Sequence, residues 1–563
     1  MTEPEHGERP RRERPPPAPV LYGTEPETEP TGPVRVTVTG YALAGPFLAE
    51  RRALRMDHVP ERLLAKDATL WGPEAESEAA IRLGWLDLPR SSRELLPRLM
   101  ALHAELVAEG LDRVVLCGMG GSSLAPEVIC RTADVPLVVL DSTDPHQVSA
   151  ALVDLERTVV VVSSKSGSTV ETDAQRRILA DAFSGIGLDA ATVGRRFVAV
   201  TDPGSALAKT AEAAGFRAVF LADPNVGGRY SALSAFGLVP SALAGADVTA
   251  LLDDAAAVIP DLSSETGNPG LDLGAALGGA GAAGRDKVLL ADAESGLAGF
   301  GDWAEQLLAE STGKDDRGLL PVVLDTAAPP GDDGHVVLLG EARPKSGTTV
   351  QGPLGGQFLV WEYATALAGR ILRVNPFDQP DVELAKTNTR ALLDAPTDLP
   401  IGEPLLVEGP VEVYADPSLL GGERDLASLL ERLVAAVPPT GYVAVMAYLD
   451  RYGDGAAAAL RGRLAAHTAR PVTFGWGPRF LHSTGQYHKG GPATGVYLQI
   501  TGATDIDVEI PGLPFTLGRL QLAQALGDGR ALRDRGRPAV RLHLTDRPTG
   551  IAALLAAVPE PSA

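Results

Sequence analysis

The residues best suited to chemistry are a run of hydroxyl side chains that follows an apolar stretch. Val159–Val162 predict a buried strand, and the residues from Glu171 to Phe183 predict the helix that follows. A helix N-terminus carries unpaired backbone N–H groups and a partial positive charge, so an anion placed there is stabilised. The polar side chains between strand and helix are Ser164, Lys165, Ser166, Ser168 and Thr169. The sequence therefore predicts a phosphate-binding turn, although a plain strand-to-helix turn with an N-cap carries similar residues.

A second turn of similar type lies earlier in the chain. GMGGSS follows the apolar strand RVVLC, and its glycines suit a tight turn that a ligand can approach closely. Gly121 and Ser122 are the binding candidates of this turn. A dinucleotide-binding fold could begin in the same way, with Asp141 as the ribose-binding acid. The hydroxyl-rich second turn favours one small phosphate site instead.

An arginine and a glutamate are candidates for charge stabilisation and proton transfer. In NVGGRYSALSAFGL, Gly228 predicts a turn at Arg229, and a helix is expected from Tyr230 to Leu238. Arginine is unfavourable at the positive end of a helix dipole, so we expect it to have an anionic partner, either in a site or on the surface. Glu310 lies where a predicted helix gives way to STGK, which makes it a candidate general base or else a solvated surface residue.

Two later segments add further polar candidates. Prolines fix the chain in RVNPFDQPDVELAK, which offers Gln379 and Lys386. The glycine-rich segment HSTGQYHKGG places His482 and His488 close together, so it is the best histidine candidate for proton transfer. A metal site is the alternative there, but no convergent Cys, Asp or Glu ligands accompany the histidines.

Composition excludes several classes of function. The net charge of −22 opposes binding to nucleic acid and to anionic membrane surfaces. The two cysteines, Cys117 and Cys130, have no CxxC partner, which fits a reducing cytoplasm. Neither a signal peptide nor an apolar run of membrane-spanning length is evident, so a cytoplasmic protein is expected.

At 563 residues, the chain exceeds what a single core normally supports. Strands alternate with helices in two central series, which predicts α/β folds with mostly parallel sheets. The glycine- and alanine-rich residues 274–284 are interpreted as a connection or a loosely packed helix. The expected division is a disordered tail (1–33), a helical lead-in (34–111), a first α/β domain (112–273), a second α/β domain (285–395) and a C-terminal α/β extension (396–563).

Five motifs together resemble those of glucose-6-phosphate isomerases. In chain order they are GMGGSSLAPEV, SSKSGSTVET, VGGRYSALSAFGL, EQLLAESTGK and NPFDQPDVELAK. The resemblance implies two doubly wound sugar-isomerase domains of the SIS type, a homodimer with the active site at the subunit interface, and no metal or nucleotide cofactor. The segment HSTGQYHKGG is similar to the isomerase half of bifunctional transaldolase and phosphoglucose isomerase proteins.

The resemblance also implies roles for individual residues. Glu310 matches the family's base, Arg229 the arginine that steadies the enediolate, and Lys386 its late active-site lysine. The matches to substrate-binding positions are Gly121, Ser122, Ser164, Lys165, Ser166, Thr169, Gly228, Gln306 and Gln379. The place of the family's histidine, near residues 348–353, has none here. We therefore expect His482 or His488 to take that role, and we prefer His482 because STGQ follows it.

The reaction implied by the resemblance is the interconversion of glucose 6-phosphate and fructose 6-phosphate through an enediolate, as used in glycolysis and gluconeogenesis. Two alternatives remain open. A related isomerase could also accept mannose 6-phosphate, because that choice depends on the shape of the pocket near C2. A non-catalytic sugar-phosphate sensor would need the phosphate turn but not Glu310, Arg229 and Lys386 together.

Overall fold

The computed structural model describes residues 32–324, 331–395 and 398–558. The expected tail, residues 1–33, lies outside the described residues except for its last two. No helix in the described part of the chain is long and apolar enough to cross a membrane.

The lead-in is mainly helical, but it begins with a strand that belongs to a distant sheet. Strand β1 (Arg35–Thr39) pairs antiparallel with residues 347–351. The helices that follow are α1 (Tyr41–Met56), α2 (Val59–Leu64), α3 (Glu76–Ala79), α4 (Leu88–Ser91) and α5 (Leu96–Ala108). The lead-in therefore completes the second α/β unit as well as preceding the first.

The first sheet is entirely parallel and carries the two predicted turns. Its strands are β2 (Arg113–Gly118), β3 (Val138–Leu140), β4 (Thr158–Ser163), β5 (Phe197–Thr201) and β6 (Ala218–Leu221), in the order β3-β2-β4-β5-β6. Val159–Val162 are at most 1% exposed, as expected for a strand covered by helices on both faces. Its helices are α6 (Leu124–Thr132), α7 (Pro145–Ala151), α8 (Val170–Gly185), α9 (Ala190–Arg195), α10 (Ala206–Ala213), α11 (Ala235–Ala244) and α12 (Val248–Leu262).

The glycine-rich segment forms helix α13 (Pro269–Ala282), which is buried rather than loosely packed. A Cβ atom on Gly274 would lie 2.8 Å from the Cβ atom of Leu367 and 3.0 Å from the carbonyl oxygen of Ala364. Gly270 and Gly278 are similarly close to the same partner helix. The missing side chains thus allow two helix backbones to approach each other, and the sequence interpretation as a connection or loose helix was wrong.

The second sheet comprises four parallel strands and β1 at its edge. The strands are β7 (Lys287–Ala293), β8 (Leu320–Leu324), β9 (Gly334–Gly340) and β10 (Gly347–Gln351), in the order β1-β10-β9-β7-β8. The helices are α14 (Phe300–Thr312), α15 (Leu354–Leu372), which is the partner of α13, and α16 (Val382–Asp394). One hydrophobic core runs through both units, from Val114 and Val159 to Val288 and Trp361.

The C-terminal extension forms a third sheet with a hydrophobic core of its own. Its order is β11-β12-β16-β15-β13-β14, and the last four strands in this order are parallel. The strands are β11 (Leu406–Glu408), β12 (Val411–Tyr414), β13 (Tyr442–Tyr448), β14 (Val472–Trp476), β15 (Gly495–Gly502) and β16 (Ala539–Leu544). The helices are α17 (Pro417–Leu420), α18 (Leu426–Ala435), α19 (Ala459–Thr468), α20 (Gly485–Gly490), α21 (Leu517–Asp534) and α22 (Arg547–Ala557).

The three sheets share one pattern of parallel strands. In each, the second strand lies on one side of the first, while the third and fourth continue on the other side. The connections therefore reverse direction beside the first strand. In open α/β sheets such a reversal leaves a crevice at the carboxyl ends of the strands, where ligands bind. In the first sheet this crevice lies between β2 and β4, the strands that lead into the two predicted binding turns.

Candidate active site

The hydroxyl-rich turn joins β4 to the N-terminus of α8. Thr169 is the N-cap residue of α8, but its side chain makes no capping hydrogen bond. The N-cap side chain therefore does not bind the backbone N–H groups of the first turn. Gly167 has φ +72°, and a Cβ atom there would lie 2.3 Å from the backbone nitrogen of Leu207. This conformation and this space require glycine.

The side chains of the turn have two different roles. Ser164 is 3% exposed, and its Oγ accepts a hydrogen bond from the backbone N–H of Gly167 at 3.1 Å, so it braces the turn from within. Lys165 pairs with Asp202 at 2.8 Å and also braces the turn. Ser166, Ser168 and Thr169 instead line a cavity of about 410 Å³. The structure thus presents three hydroxyl groups, rather than the lysine, to a ligand.

This cavity is formed by elements from all three units. Helix α16 contributes Lys386 and Arg390, which add positive charge near the hydroxyl turn. The third unit contributes His482, Lys489 and Gln524. Glu171 and Asp394 also line the cavity, so two carboxylates oppose the three cations Lys386, Arg390 and Lys489. An anion in the cavity would therefore meet a small excess of positive charge in spite of the negative charge of the whole chain.

His482 faces a buried carboxylate across the cavity wall. It ends a short 3-10 turn, Arg479–His482, and its Nε2 lies 3.3 Å from Oε1 of Glu171 on α8. Gln524 donates a hydrogen bond to the same oxygen at 2.7 Å. Burial alone would raise the pKa of Glu171, but the hydrogen bond and charge of His482, with the charge of Lys386, hold it below its usual value. An ionised Glu171 can orient the imidazole of His482 through this contact.

Arg229 and Glu310 form a buried ion pair. Arg229 lies in a 3-10 turn, Gly228–Tyr230, and its Nη1 is 3.2 Å from Oε1 of Glu310 near the end of α14. The predicted helix from Tyr230 begins only at α11, where the Ser234 side chain accepts a hydrogen bond from Phe236 N–H. The anionic partner expected for Arg229 is therefore Glu310, a residue of another unit.

Other contacts fix the guanidinium of Arg229 from the opposite side. It donates to Ser311 Oγ at 3.0 Å, to the carbonyl oxygens of Pro376 and Asp378 at 3.1 Å each, and to the side chain of Gln379. Gln379 thus acts on the arginine in this structure. The result is one defined position for the positive charge.

Gln306 connects this ion pair to the histidine. Its Nε2 donates to Oε2 of Glu310 at 3.1 Å and to the carbonyl oxygen of His482 at 2.7 Å. A Cβ atom on Gly120 would lie 2.6 Å from that same nitrogen, and one on Gly121 would lie 2.0 Å from the carbonyl oxygen of Gly228. The first glycine turn, which includes Ser122, therefore packs directly on Gln306 and on the turn that holds Arg229.

The second candidate histidine lies elsewhere. His488 is 2% exposed and packs against the rings of Tyr442, Phe480 and Tyr497. Burial, and then the charge of Lys489, lowers its pKa well below the usual value. The expectation that His488 binds substrate is not supported by this position, because helix α20 turns it into an aromatic core. Within the described ranges there is also no cluster of three or more His, Cys, Asp or Glu side chains that could hold a metal ion.

Sequence reasoning did not identify several residues of the site. Glu171 directly follows the hydroxyl turn, but only the fold reveals that it faces His482. Gln524 comes from the third unit without a recognisable motif, and Lys489 lies in HSTGQYHKGG, where the sequence indicates only the histidines as candidates. Lys314, in ESTGK, donates hydrogen bonds to the carbonyl oxygens of Asn375 and Asp378 at 2.6 and 2.7 Å, and so supports the segment that holds Arg229.

The comparisons with known proteins agree with this geometry. Residues 104–277 match the family Phosphoglucose isomerase. A glucose-6-phosphate isomerase of Rubrobacter xylanophilus is 30% identical over 395 residues, which are 56% of this chain and 89% of that relative. The chain belongs to the glucose-6-phosphate isomerase family. It is therefore an isomerase, and the resemblance inferred from the five motifs is confirmed.

Further matches support the α/β class of this chain. The enzyme of Streptococcus agalactiae serotype III is 28% identical over 435 residues, which are 62% of this chain and 94% of the relative. A solved structure of a hypothetical protein from Thermus thermophilus has a TM-score of 0.54 and 26% identity, and it covers 64% of this chain and 100% of its own. The predicted fold class, doubly wound α/β units with mostly parallel sheets, is confirmed.

Proposed function

We propose that the protein interconverts glucose 6-phosphate and fructose 6-phosphate through a cis-enediolate, as a cytoplasmic enzyme of glycolysis and gluconeogenesis. The observation that carries the proposal is the connection of Glu310, Arg229, Gln306 and His482 beside a cavity lined by hydroxyl groups and lysine. Hydrogen bonds of Gln306 thus join the proposed base and its fixed positive charge to His482, which lines the anion site.

The phosphate would bind at the hydroxyl turn. Ser166, Ser168 and Thr169 offer short donors, and the N-terminus of α8 has a partial positive charge with no side-chain cap. Lys386 lies on the cavity wall as a further cation. Anchoring the phosphate holds the sugar so that one base reaches two neighbouring carbons.

Glu310 would move the proton between those carbons. Its carboxylate removes the proton from C2 of the open-chain aldose, which leaves an enediolate. The hydroxyl proton then passes from O2 to O1, and the carboxylate returns its proton to C1 to give the ketose. Arg229 lies against the carboxylate and would stabilise the negative oxygen that develops in this step. The contacts that fix Arg229 before substrate binds reduce the reorganisation needed during the reaction.

His482 and Lys386 would assist ring opening. This step delivers one proton to the ring oxygen and removes one from the hydroxyl on C1. The carboxylate of Glu171 keeps the His482 imidazole oriented toward the cavity. Because His482 takes the role we expect of the family's histidine, the C-terminal extension would be part of the catalytic unit.

The cysteines and the family resemblance support the cytoplasmic location and the homodimer. Cys117 and Cys130 are buried free thiols, as a reducing compartment allows. The family resemblance implies a homodimer, and no binding partner other than the hexose 6-phosphate is proposed.

A coupled assay of fructose 6-phosphate formation from glucose 6-phosphate tests the proposal directly. We expect turnover that survives a chelator, since no step requires a metal ion. The same assay with mannose 6-phosphate examines the broader specificity. Absence of turnover with glucose 6-phosphate in a folded sample would refute the proposal.

A further inference from the structure

The third sheet has a crevice at the position that corresponds to the phosphate site of the first. Its connections reverse direction beside β13, because β14 lies on one side and β15 and β16 lie on the other. The carboxyl ends of β13 and β15 therefore correspond to those of β2 and β4. This location is where an open parallel sheet binds a ligand.

A cavity of about 460 Å³ occupies this crevice. It lies within the size range of small-molecule sites. Its wall includes Thr501 at the end of β15, His543 on β16 and Gln521 on α21. Thr501 and His543 are already oriented by a hydrogen bond of 3.0 Å between Oγ1 and Nδ1. The wall thus offers hydroxyl, imidazole and amide groups in defined positions.

The helix N-terminus beside this cavity is closed to anions. In α21, the N–H of Gly518 donates to Asp507 Oδ1 at 2.8 Å, and the N–H of Arg519 donates to Thr516 Oγ1 at 3.2 Å. The carboxylate of Asp507 thus stands where a phosphate would bind at such a helix. Helix α8 of the first unit has no side-chain cap, so the two crevices differ in the feature that selects an anion.

The charged side chains that line the cavity also disfavour an anionic ligand. Asp398 and Asp507 line it together with a single arginine, Arg519. Burial, followed by the charge of Arg541, lowers the pKa of His543, which favours the neutral imidazole. A phosphorylated ligand would therefore meet carboxylates, whereas neutral hydroxyl groups would meet both donors and acceptors.

We propose that this crevice is a second binding site, which takes an uncharged polyhydroxylated molecule such as a free sugar or a sugar alcohol. It is separate from the substrate cavity, and the inference does not depend on the isomerase reaction.

Titration calorimetry of the full chain with glucitol tests the proposal. Ala503 lines the crevice and is exposed, so Ala503→Trp fills the site without disturbing a core. We expect saturable binding of glucitol to the wild type and at least tenfold weaker binding to Ala503→Trp, with unchanged isomerase turnover. The nearly isosteric Thr501→Val should also weaken glucitol binding, because it removes the hydroxyl group that His543 orients.

Ser168→Trp is the matched control in the substrate cavity. It should abolish turnover and the binding of inorganic phosphate while leaving the affinity for glucitol unchanged. The proposal is overturned if the wild type shows no saturable binding of glucitol. It is also overturned if Ser168→Trp, rather than Ala503→Trp, removes the binding of glucitol. Loss of phosphate binding in Ala503→Trp would overturn it as well. Failure of the proposed reaction would be seen separately, in the coupled assay.

Discussion

The guanidinium of Arg229 forms an ion pair with the carboxylate of Glu310 and donates hydrogen bonds to two backbone carbonyl oxygens. This position fixes a positive charge next to Glu310 before any substrate arrives. The carboxylate in turn receives a hydrogen bond from Gln306, which also contacts the backbone of His482. Substitution of one group is therefore expected to affect its neighbours, and the effects should not add.

Glu310→Gln keeps the shape of the side chain and removes the base. We expect kcat to fall by about 10²–10⁴-fold, because proton transfer loses its acceptor. Binding of a substrate analogue should persist, since the hydroxyl turn is untouched. The coupled assay and calorimetry measure the two quantities. Unchanged turnover in this variant would remove Glu310 from the mechanism.

His482→Ala should lower the rate of turnover, whereas His488→Ala should lower the stability of the fold. Loss of the His482 imidazole should lower kcat on ring-closed glucose 6-phosphate by about 10²-fold or more, because ring opening loses a proton carrier. His488→Ala should mainly lower the melting temperature, since it leaves a hole among aromatic rings. Steady-state kinetics and thermal unfolding of both variants test this contrast. Equal kinetic losses would contradict it.

Lys314 gives a pH dependence of stability. Burial, and then the neighbouring charge of Arg229, lowers its pKa from 10.5 to about 8. An ammonium group with a lowered pKa in the folded state opposes folding most below that value, and the effect fades as the pH rises toward the unfolded value. Relative to Lys314→Met, the free energy of unfolding of the wild type should rise between about pH 8 and about pH 10. Denaturant titrations at several pH values measure it, and a constant difference would contradict the assignment.

Residue types alone revealed the charged members of the site but not their partners. Glu310, Arg229 and Lys386 stand in motifs, whereas the partner of His482 is a glutamate more than 300 positions away. His482 and His488 have similar sequence surroundings. They differ because the short helix α20 places the ring of His488 in the core. The orientation of that helix depends on packing against residues distant in sequence.

At the scale of elements, helices α13 and α15 pack closely because glycine recurs at every fourth position of α13 between residues 270 and 278. Composition predicted a connection or loose packing there, since glycine normally weakens a helix. The close contact to α15 reverses that expectation, because the absence of a side chain is what allows the approach. In contrast, the buried strand β4 was predictable, because a continuous run of valine is typical of a covered parallel strand.

Gly274→Ala tests this contact. The added Cβ atom would lie 2.8 Å from the Cβ atom of Leu367, which cannot move without its backbone. We expect the free energy of unfolding to fall by about 1–3 kcal/mol, as for other overpacked cores. The control is Gly462→Ala in α19, where nothing lies within 4 Å of the added atom. That variant should be neutral or up to about 1 kcal/mol more stable, because alanine favours a helix. Denaturant unfolding compares the two, and equal effects would contradict the packing argument.

At the scale of the whole molecule, the first and third units are joined by buried ion pairs. Arg547 lies 2.8 Å from Asp144, and Arg479 lies 2.6 Å from Glu127. These pairs fix the third unit so that His482 reaches the cavity. Breaking a buried pair by removing one partner usually costs several kcal/mol, so the extension is expected to be integral to the fold.

This arrangement makes a prediction about assembly. The proposed base Glu310 and the side chains of Arg229, His482 and Glu171 all come from one chain, whereas the resemblance implies a site at a subunit interface. If the protein forms the expected homodimer, its specific activity should stay constant when the dimer is diluted below its dissociation constant. Sedimentation and activity measured over the same concentration range test this. A loss of activity in proportion to the monomer fraction would show that a neighbouring subunit completes the site.

Strand β1 pairs with β10, although about 300 residues of sequence separate them. During synthesis on the ribosome, β1 emerges early and has no strand to pair with until the second sheet has been translated. Its open edge is therefore exposed to other nascent chains until residues 347–351 have been synthesised, which is a hazard for aggregation. Because β1 is synthesised long before its partner strand, we expect a chaperone to bind the region around β1 as it emerges.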